Sequence, residues 1–530
     1  MTTTATPTIL SEDALSAAID DFTAALGGDK VLRSEEDRAE FRDPFAFPTW
    51  DEYTSSAVLM PETVEEIQAI LRIANERKVP LWTHSQGRNN GYGGPAPRVR
   101  GSVNVSLRNM NKVLEINEEC AYAVVEPGVR WFDLYEAIKA GGHRLMPSIA
   151  DVGWGSVIGN TLDHGITYLP PGQDMAAQCG MEVVLADGEV MRTGMGALPG
   201  GRSWHVYKRG LGPTPDQLFM QSNFGIVTKM GYWLQPYPEV YMPLWLRVWN
   251  DDDLPAVVDT LRGLLLDGTI RMVPQILSAV LMASILSDRD RWWQGEGPIP
   301  DARIDELARE LEIGRWIMRF ALYEDDAVAD HKFRKIKEAF ERIPGAEVWG
   351  DKHAPEEIPN LEHPVEQVQG GVPSLDLNQM TGWYGGEEGG HIGFSPVAPL
   401  TAHDSVALRD LLRGMIEGAG LDYMPSLIPV NARSFVHVTL IIFDTKDEEQ
   451  CRSAYEVSQR LVREAGKLGY GEYRAHLSFM DVAAEQYSFN DHAYRRFNEK
   501  LKDALDPNGI LSPGRHGIWP RSMRENGAGK

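Results

Sequence analysis

Ser85-Gln-Gly-Arg-Asn-Asn-Gly-Tyr-Gly-Gly94 follows directly on residues 79–84, an apolar run that reads as a buried strand. Glycine tolerates positive φ and lets the backbone approach a ligand closely, so successive N–H groups of such a loop can face a pyrophosphate. Composition alone fits a surface loop equally well. The spacing matches neither a Walker loop nor a GxGxxG fingerprint, so ATP and nicotinamide dinucleotides gain no support from it. Upstream, Thr63-x-x-Glu66 is a capping box opening a helix with the apolar face Val64, Ile67, Ile70, Leu71 and Ala74. An amphipathic helix over 11–26 precedes it, capped by Ser11 and stopped by Gly27 and Gly28. Downstream lie strands at 102–107 and 121–126, then 181–186 and 189–193 joined by Asp187 and Gly188, a hairpin signal. Residues 1–235 thus read as one α+β unit with long loops between its strands.

The texture changes at Pro236-Tyr-Pro238. A helix at 254–266, a strand at 315–323 and a helix at 326–343 form one group. A second group follows: strand 391–397, helix 406–419, strand 435–443, helix 447–468. Two similar groups predict a duplicated antiparallel sheet with helices on one face. The stretch 345–390 is loop-rich. The apolar stretch 273–286 is too short to cross a bilayer and reads as a core helix. A final helix at 491–505 leads into Asp506-Pro-Asn-Gly-Ile-Leu-Ser-Pro-Gly514, a segment full of turn chemistry.

The chain has 530 residues, 43% hydrophobic and 24% charged, which predicts a soluble globular protein of more than one domain. Its net charge of −24 disfavours nucleic acid and anionic membranes as partners. Cys120, Cys179 and Cys451 are too far apart for a zinc site and too few for a disulfide framework. The first cation is Lys30, so the N-terminus lacks the basic region of a secretory signal, and a cytoplasmic location is expected.

Three further segments carry chemistry. Asp151-Val-Gly-Trp-Gly-Ser-Val-Ile-Gly-Asn-Thr161, followed by Asp163-His-Gly-Ile-Thr-Tyr168, again alternates glycine with small polar residues, as a loop pressed on a flat ligand does. A loop aspartate such as Asp151 also serves often as a turn or cap residue. In Gly389-Gly-His-Ile-Gly-Phe-Ser-Pro396, alternation puts His391, Gly393 and Ser395 on one face of a strand. In Gly471-Glu-Tyr-Arg-Ala-His-Leu-Ser-Phe-Met-Asp481, Tyr473 sets a phenol donor beside the permanent cation of Arg474, a pair suited to an anionic oxygen. No HExxH and no GxSxG occurs, and the 13 histidines do not cluster at metal-ligand spacing, so no metal is expected.

Together these segments resemble the vanillyl-alcohol oxidase family of flavoproteins, in particular its bacterial 4-phenol oxidases. The likeness runs from about residue 45 to Pro520. It is carried by 87–97, 125–129, 180–197 (opening Gly-Met-Glu-Val-Val-Leu-Ala-Asp-Gly), 221–230 (Gln-Ser-Asn-Phe-Gly-Ile-Val-Thr-Lys-Met) and 506–520, in that order. The resemblance implies an α+β, two-domain flavoprotein. A PCMH-type FAD-binding domain would comprise 1–235 and, on return, 471–530. A cap domain of 236–470, antiparallel sheet plus helices, would cover the flavin and bind substrate.

It further implies that Gln86, Gly87, Arg88, Asn89 and Asn90 hold the FAD pyrophosphate. Ser156, Gly159, Asn160, Tyr168, Glu182, Ile226 and Arg515 would line the cofactor, and His391 would attach it covalently. A para-substituted phenol would bind as phenolate to Tyr92, Tyr473 and Arg474. Its benzylic hydride would pass to flavin N5, leaving a p-quinone methide. Asp151 would act as base, and O2 would return as hydrogen peroxide. Gly393, small where a relative has an aromatic, is expected to widen a substrate pocket that Ser395 and Ser426 also border; Ser426 is expected in a loop. Trp154 stands where a glycine is expected. The stretch 198–213 is shorter than in a fungal member, which points to a homodimer. A dehydrogenase branch passes electrons to a cytochrome and attaches flavin to tyrosine, so His391 favours the oxidase. A non-catalytic flavin binder is disfavoured by Tyr92, Asp151, Tyr473 and Arg474 occurring together.

Overall fold

A computed structural model describes residues 10–46 and 53–525. Helix Glu12–Leu26 starts on Ser11, whose hydroxyl accepts from Ala14 N–H, and ends at Gly27 with φ 93°. It packs on helix Val64–Arg77, and Phe22, Ile67, Leu71 and Ala74 are buried between them and the first sheet. Thr63 Oγ1 accepts from Glu66 N–H at 3.2 Å, as the capping box predicts. Glu66, however, accepts from Glu62 N–H at 2.7 Å and pairs with Lys30.

The first sheet orders Val31–Leu32, Val58–Leu59, Val103–Ser106 and Leu81–His84, the last three mutually parallel. Leu81–His84 thereby delivers the glycine-rich loop at its C-terminal end, where an open parallel sheet takes its ligands. A second, antiparallel sheet orders Val113–Asn117, Tyr122–Val125, Ile226–Trp233, Gln178–Val184 and Val190–Arg192. The predicted hairpin at Asp187 and Gly188 joins its last two strands.

The large sheet runs Glu347–Trp349, Val240–Val248, Trp316–Glu324, Gln275–Ser278, Met424–Ile428, Ser434–Asp444 and Gly389–Phe394, with Val397–Pro399 added on Ser434–Asp444. It is antiparallel, and its halves meet where Gln275–Ser278 pairs Met424–Ile428. Each half repeats one strand order reflected about that seam, which is the expected duplication. Helices Leu254–Leu266, Ala402–Glu417 and Glu448–Lys467 pack against one another on it. The stretch 273–286 is not one helix: Gln275–Ser278 is a strand and Ala279–Leu286 a helix. Pro274 lacks a donor for a helix interior, and Ser278 caps the helix by accepting from Leu281 N–H at 3.2 Å.

The C-terminal segment returns to the first sheet. Leu81 N–H donates to Ile510 O (2.7 Å) and Ser512 N–H to Leu81 O (2.8 Å). Lys502, wholly buried, pairs with Asp506 at 2.7 Å and donates to Asn223 O and Leu511 O. One continuous apolar core reaches from Trp131 and Met181 to Phe320 and Phe435 in the large sheet. Among the described residues no helix is long and apolar enough to cross a membrane.

Candidate active site

A cleft opens where the first sheet, the 151–163 loop and the C-terminal return meet. Gln86, Gly87, Arg88, Asn89, Ser156, Gly159, Asn160, Ile226 and Arg515 line it. Gln86 is fixed by donating to Gly128 O at 2.6 Å, and Arg88 pairs with Glu40 at 2.9 Å while lying 5.4 Å over the Trp154 ring. Ser156 caps the short helix Val157–Leu162 through Gly159 N–H. Arg515 Nη2 sits 3.2 Å from Asp163; burial opposes that carboxylate's charge, but Arg515 and His516 hold it below the usual carboxylate range.

Asn90 and Glu182 do not line the cleft. Asn90 follows Asn89, whose carbonyl closes the loop by accepting from Tyr92 and Gly94 N–H. Glu182 is spent on Lys229 (2.7 Å) and Arg192 (2.9 Å).

Whether a dinucleotide fits is tested by what the walls leave unsatisfied. Thr83 Oγ1, His84 Nε2, Asn160 Nδ2, Asn223 Oδ1 and Arg474 Nε are buried with no hydrogen-bond partner among the described residues, and all five residues line this one cleft. An orphaned buried polar atom costs about 1–3 kcal/mol, so five on one surface mark a polar ligand's place. The donor and acceptor set suits the polar atoms of FAD.

A second cluster adjoins it through Arg474. Its guanidinium lies 4.4 Å over the Tyr92 ring and 5.2 Å over the Tyr473 ring, and Nη2 donates to Tyr473 Oη at 2.8 Å. Burial raises the Tyr473 hydroxyl above an ordinary phenol, so it remains a neutral donor. Burial also opposes the charge of Arg474, but Tyr473, Tyr92 and Asp163 overcome it and keep the cation. Ser395 ties the cluster together: its Oγ is 3.2 Å from Tyr92 Oη, and its carbonyl accepts from Tyr473 N–H at 3.1 Å.

Gly393, on the same strand face, does not leave open space. A Cβ there would lie 2.6 Å from Tyr92 Cζ, so the phenol ring fills the room that the expectation gave to a ligand. His391, two residues earlier, packs on Gly91, whose φ of 74° and lack of a side chain let the imidazole sit where a Cβ would collide. Its Nδ1 has no partner among the described residues, and burial, then His476, lowers its pKa to about 4. The imidazole is therefore neutral at pH 7.

Asp151 forms a third cluster. Its carboxylate accepts from Tyr168 Oη and from Arg319 Nη2. Tyr168 is thus beside Asp151 rather than in the dinucleotide cleft, and burial, then Asp151, raises its hydroxyl well above the usual phenol. Arg319 lies 4.5 Å over the Tyr168 ring and donates to Gln275 Oε1 at 2.5 Å. Sequence reasoning missed Arg319 and Gln275. The signal was present: Arg319 is the lone cation inside Trp316–Glu324, an otherwise apolar strand buried along its length. It also missed Gln221, which lines the cleft and donates to Tyr473 O at 2.6 Å. Ser426 is not in a loop; it is buried in the central strand Met424–Ile428, opposite Leu277.

Comparison with known proteins agrees with this geometry. Residues 55–194 match the FAD binding domain family and 433–516 the C-terminal domain of FAD linked oxidases. The chain is 35% identical to the 4-cresol dehydrogenase [hydroxylating] flavoprotein subunit of Pseudomonas putida, over 97% of each chain. It superposes with a TM-score of 0.92 on the 4-ethylphenol oxidase from Gulosibacter chungangensis in complex with isoeugenol, at 38% identity over 98% of this chain and 100% of that one. Against substrate-bound p-cresol methylhydroxylase the TM-score is 0.90, at 34% identity over 96% and 98%.

Proposed function

The chain belongs to the vanillyl-alcohol oxidase family of FAD-linked oxidases, and from that premise we propose that it oxidises 4-hydroxybenzylic alcohols and 4-alkyl- or 4-allylphenols at the benzylic carbon, with O2 as acceptor. The convergence of Tyr92, Tyr473 and Arg474 carries this reading. Two O–H donors and a fixed cation bind a phenolate better than a phenol, and so lower a bound phenol's pKa from about 10. The phenolate oxygen then pushes electron density toward the para carbon. FAD, when bound, supplies the acceptor for the benzylic hydride and passes the electrons to O2, giving hydrogen peroxide.

Asp151 acts on the resulting p-quinone methide as the base that takes a proton from adding water, or takes the hydroxyl proton of a benzylic alcohol. Arg319 and Tyr168 hold its carboxylate. The residues that line the cleft, with Arg515, hold the cofactor, and His391 attaches it. A neutral buried imidazole with a free nitrogen supports that attachment, since only the unprotonated ring is a nucleophile. Transfer of electrons to a protein acceptor is the second reading, supported by the likeness to a dehydrogenase subunit.

The phenolate claim is tested with 4-hydroxybenzaldehyde, which carries no oxidisable benzylic C–H of this type. Its difference spectrum on binding at pH 6 should show the phenolate band, and Arg474→Gln should abolish it. A bound spectrum of neutral phenol in the wild type would contradict the proposal.

A further inference from the structure

Asp163 is a buried carboxylate on the cleft wall that no step of the proposed chemistry uses. It joins the two halves of the site. On one side Arg515 Nη2 lies 3.2 and 3.3 Å from its two oxygens, and His516 Nε2 lies 3.6 Å away. On the other, its charge and that of Arg474 favour each other across the same wall. Its backbone is tied to the phenolate cluster as well, since Gln221 Nε2 donates both to Asp163 O at 3.4 Å and to Tyr473 O at 2.6 Å. Four non-glycine residues hold left-handed backbone around it. His164 (φ 53°) follows it in the chain, Gln221 (φ 42°) donates to it, His516 (φ 51°) pairs with it, and Ser512 (φ 37°) accepts from Arg515 N–H. Such outliers persist where the surroundings over-determine them, and they gather at functional sites.

We propose that Asp163 is the shared counterion of Arg474 and Arg515, a positioning residue that limits the positive charge presented by both the phenolate site and the cofactor wall. The inference rests on the proposed phenol chemistry. Arg474 belongs to both halves: its guanidinium lies over the Tyr92 and Tyr473 rings, while the residue lines the cleft and its buried Nε has no partner among the described residues. Benzylic hydride transfer requires the flavin ring at this end of the cleft. A flavin takes on negative charge when reduced, as a phenol does when it ionises, so both gain from the same cations. A buried carboxylate offsets part of that gain, and the low local dielectric makes the offset felt at both. Removing the Asp163 charge therefore favours reduced flavin and bound phenolate together.

The test uses the FAD-loaded enzyme as wild type, Asp163→Asn and Asp163→Glu. The flavin is equilibrated with a reference redox dye in the absence of phenol, and bound 4-hydroxybenzaldehyde is titrated by its phenolate band. In Asp163→Asn the ratio of reduced to oxidised flavin at a given dye poise should rise about tenfold, which is about 30 mV for a two-electron couple. The phenolate-to-phenol ratio of the bound aldehyde at a given pH should rise about tenfold as well, one pKa unit. Asp163→Glu should keep both ratios near wild type by keeping the charge. Wild-type ratios in a folded, FAD-loaded Asp163→Asn would overturn the proposal and leave the carboxylate a structural role, as would a rise in one ratio alone. A wild type that binds the aldehyde as neutral phenol would overturn the phenolate reading and this inference with it, a result distinct from an unmoved Asp163→Asn beside a phenolate-binding wild type.

Discussion

Individual side chains set this site by displacement as much as by contact. Gly393 is required because the Tyr92 ring occupies the place of its missing side chain. Gly393→Ala should therefore shift Tyr92 and cut kcat/KM by about tenfold or more while FAD stays bound, measured by steady-state kinetics beside the flavin absorbance; full activity would show that Tyr92 has room to move. In the proposed mechanism Arg319, which donates to Asp151, acts through it as a positioning residue. Arg319→Ala leaves a buried carboxylate without its cation, an arrangement that costs about 3–5 kcal/mol where it cannot relax. Flavin reduction in stopped flow should slow by about 100-fold, and Arg319→Lys should recover part of the loss by restoring charge without the fork geometry. Equal rates in the alanine and lysine variants would assign Arg319 a merely structural role. His391→Ala should release FAD on denaturation, and retained covalent flavin would name another attachment residue.

At the level of elements, much was legible in the residues themselves. Ser11 and Thr63 announce helices because a hydroxyl there satisfies an otherwise free N–H, and Asp187-Gly188 announces a hairpin because only such pairs turn tightly. Strand alternation put His391, Gly393 and Ser395 on one face; the strand Gly389–Phe394 is buried along its whole length, and Tyr92 meets both Gly393 and Ser395. What was not legible depends on which strands become neighbours. The stretch 273–286 has no periodicity that separates a strand from a helix when both are buried, and only pairing with Trp316–Glu324 settles it. Arg319 meets Asp151 from a strand 168 residues away, a contact that no local pattern encodes. The same holds for the C-terminal return, stapled by Lys502. Lys502→Ala should destabilise the protein by about 3–5 kcal/mol in chemical denaturation, because it strands Asp506 in the core. A loss under 1 kcal/mol would mean that the return is held by its backbone bonds alone.

Over the whole molecule, buried neutral histidines link the fold to pH. His437 is fully buried, its Nε2 is 2.8 Å from Tyr423 Oη, and burial lowers its pKa to about 3; His84, in the cleft wall, is lowered likewise by burial and then Arg108. Unfolding restores the ordinary value of about 6.5, so the unfolded chain binds more protons between roughly pH 6.5 and 3. Stability is therefore greatest above pH 6.5 and falls as pH drops through that window, by about 2 kcal/mol per such histidine between pH 7 and 5. Thermal melts across that range should show it, and His437→Gln should flatten the slope. A Tm independent of pH from 7 to 5 would refute it.

The central claim is that one cleft holds FAD beside a phenolate site built by Tyr92, Tyr473 and Arg474. The most direct measurement is the flavin absorbance of the purified protein, recorded anaerobically with vanillyl alcohol and again after air is admitted. The account predicts bleaching of the yellow band, then its rapid return with one peroxide per substrate oxidised. A band that stays unbleached with vanillyl alcohol and with 4-ethylphenol would contradict it.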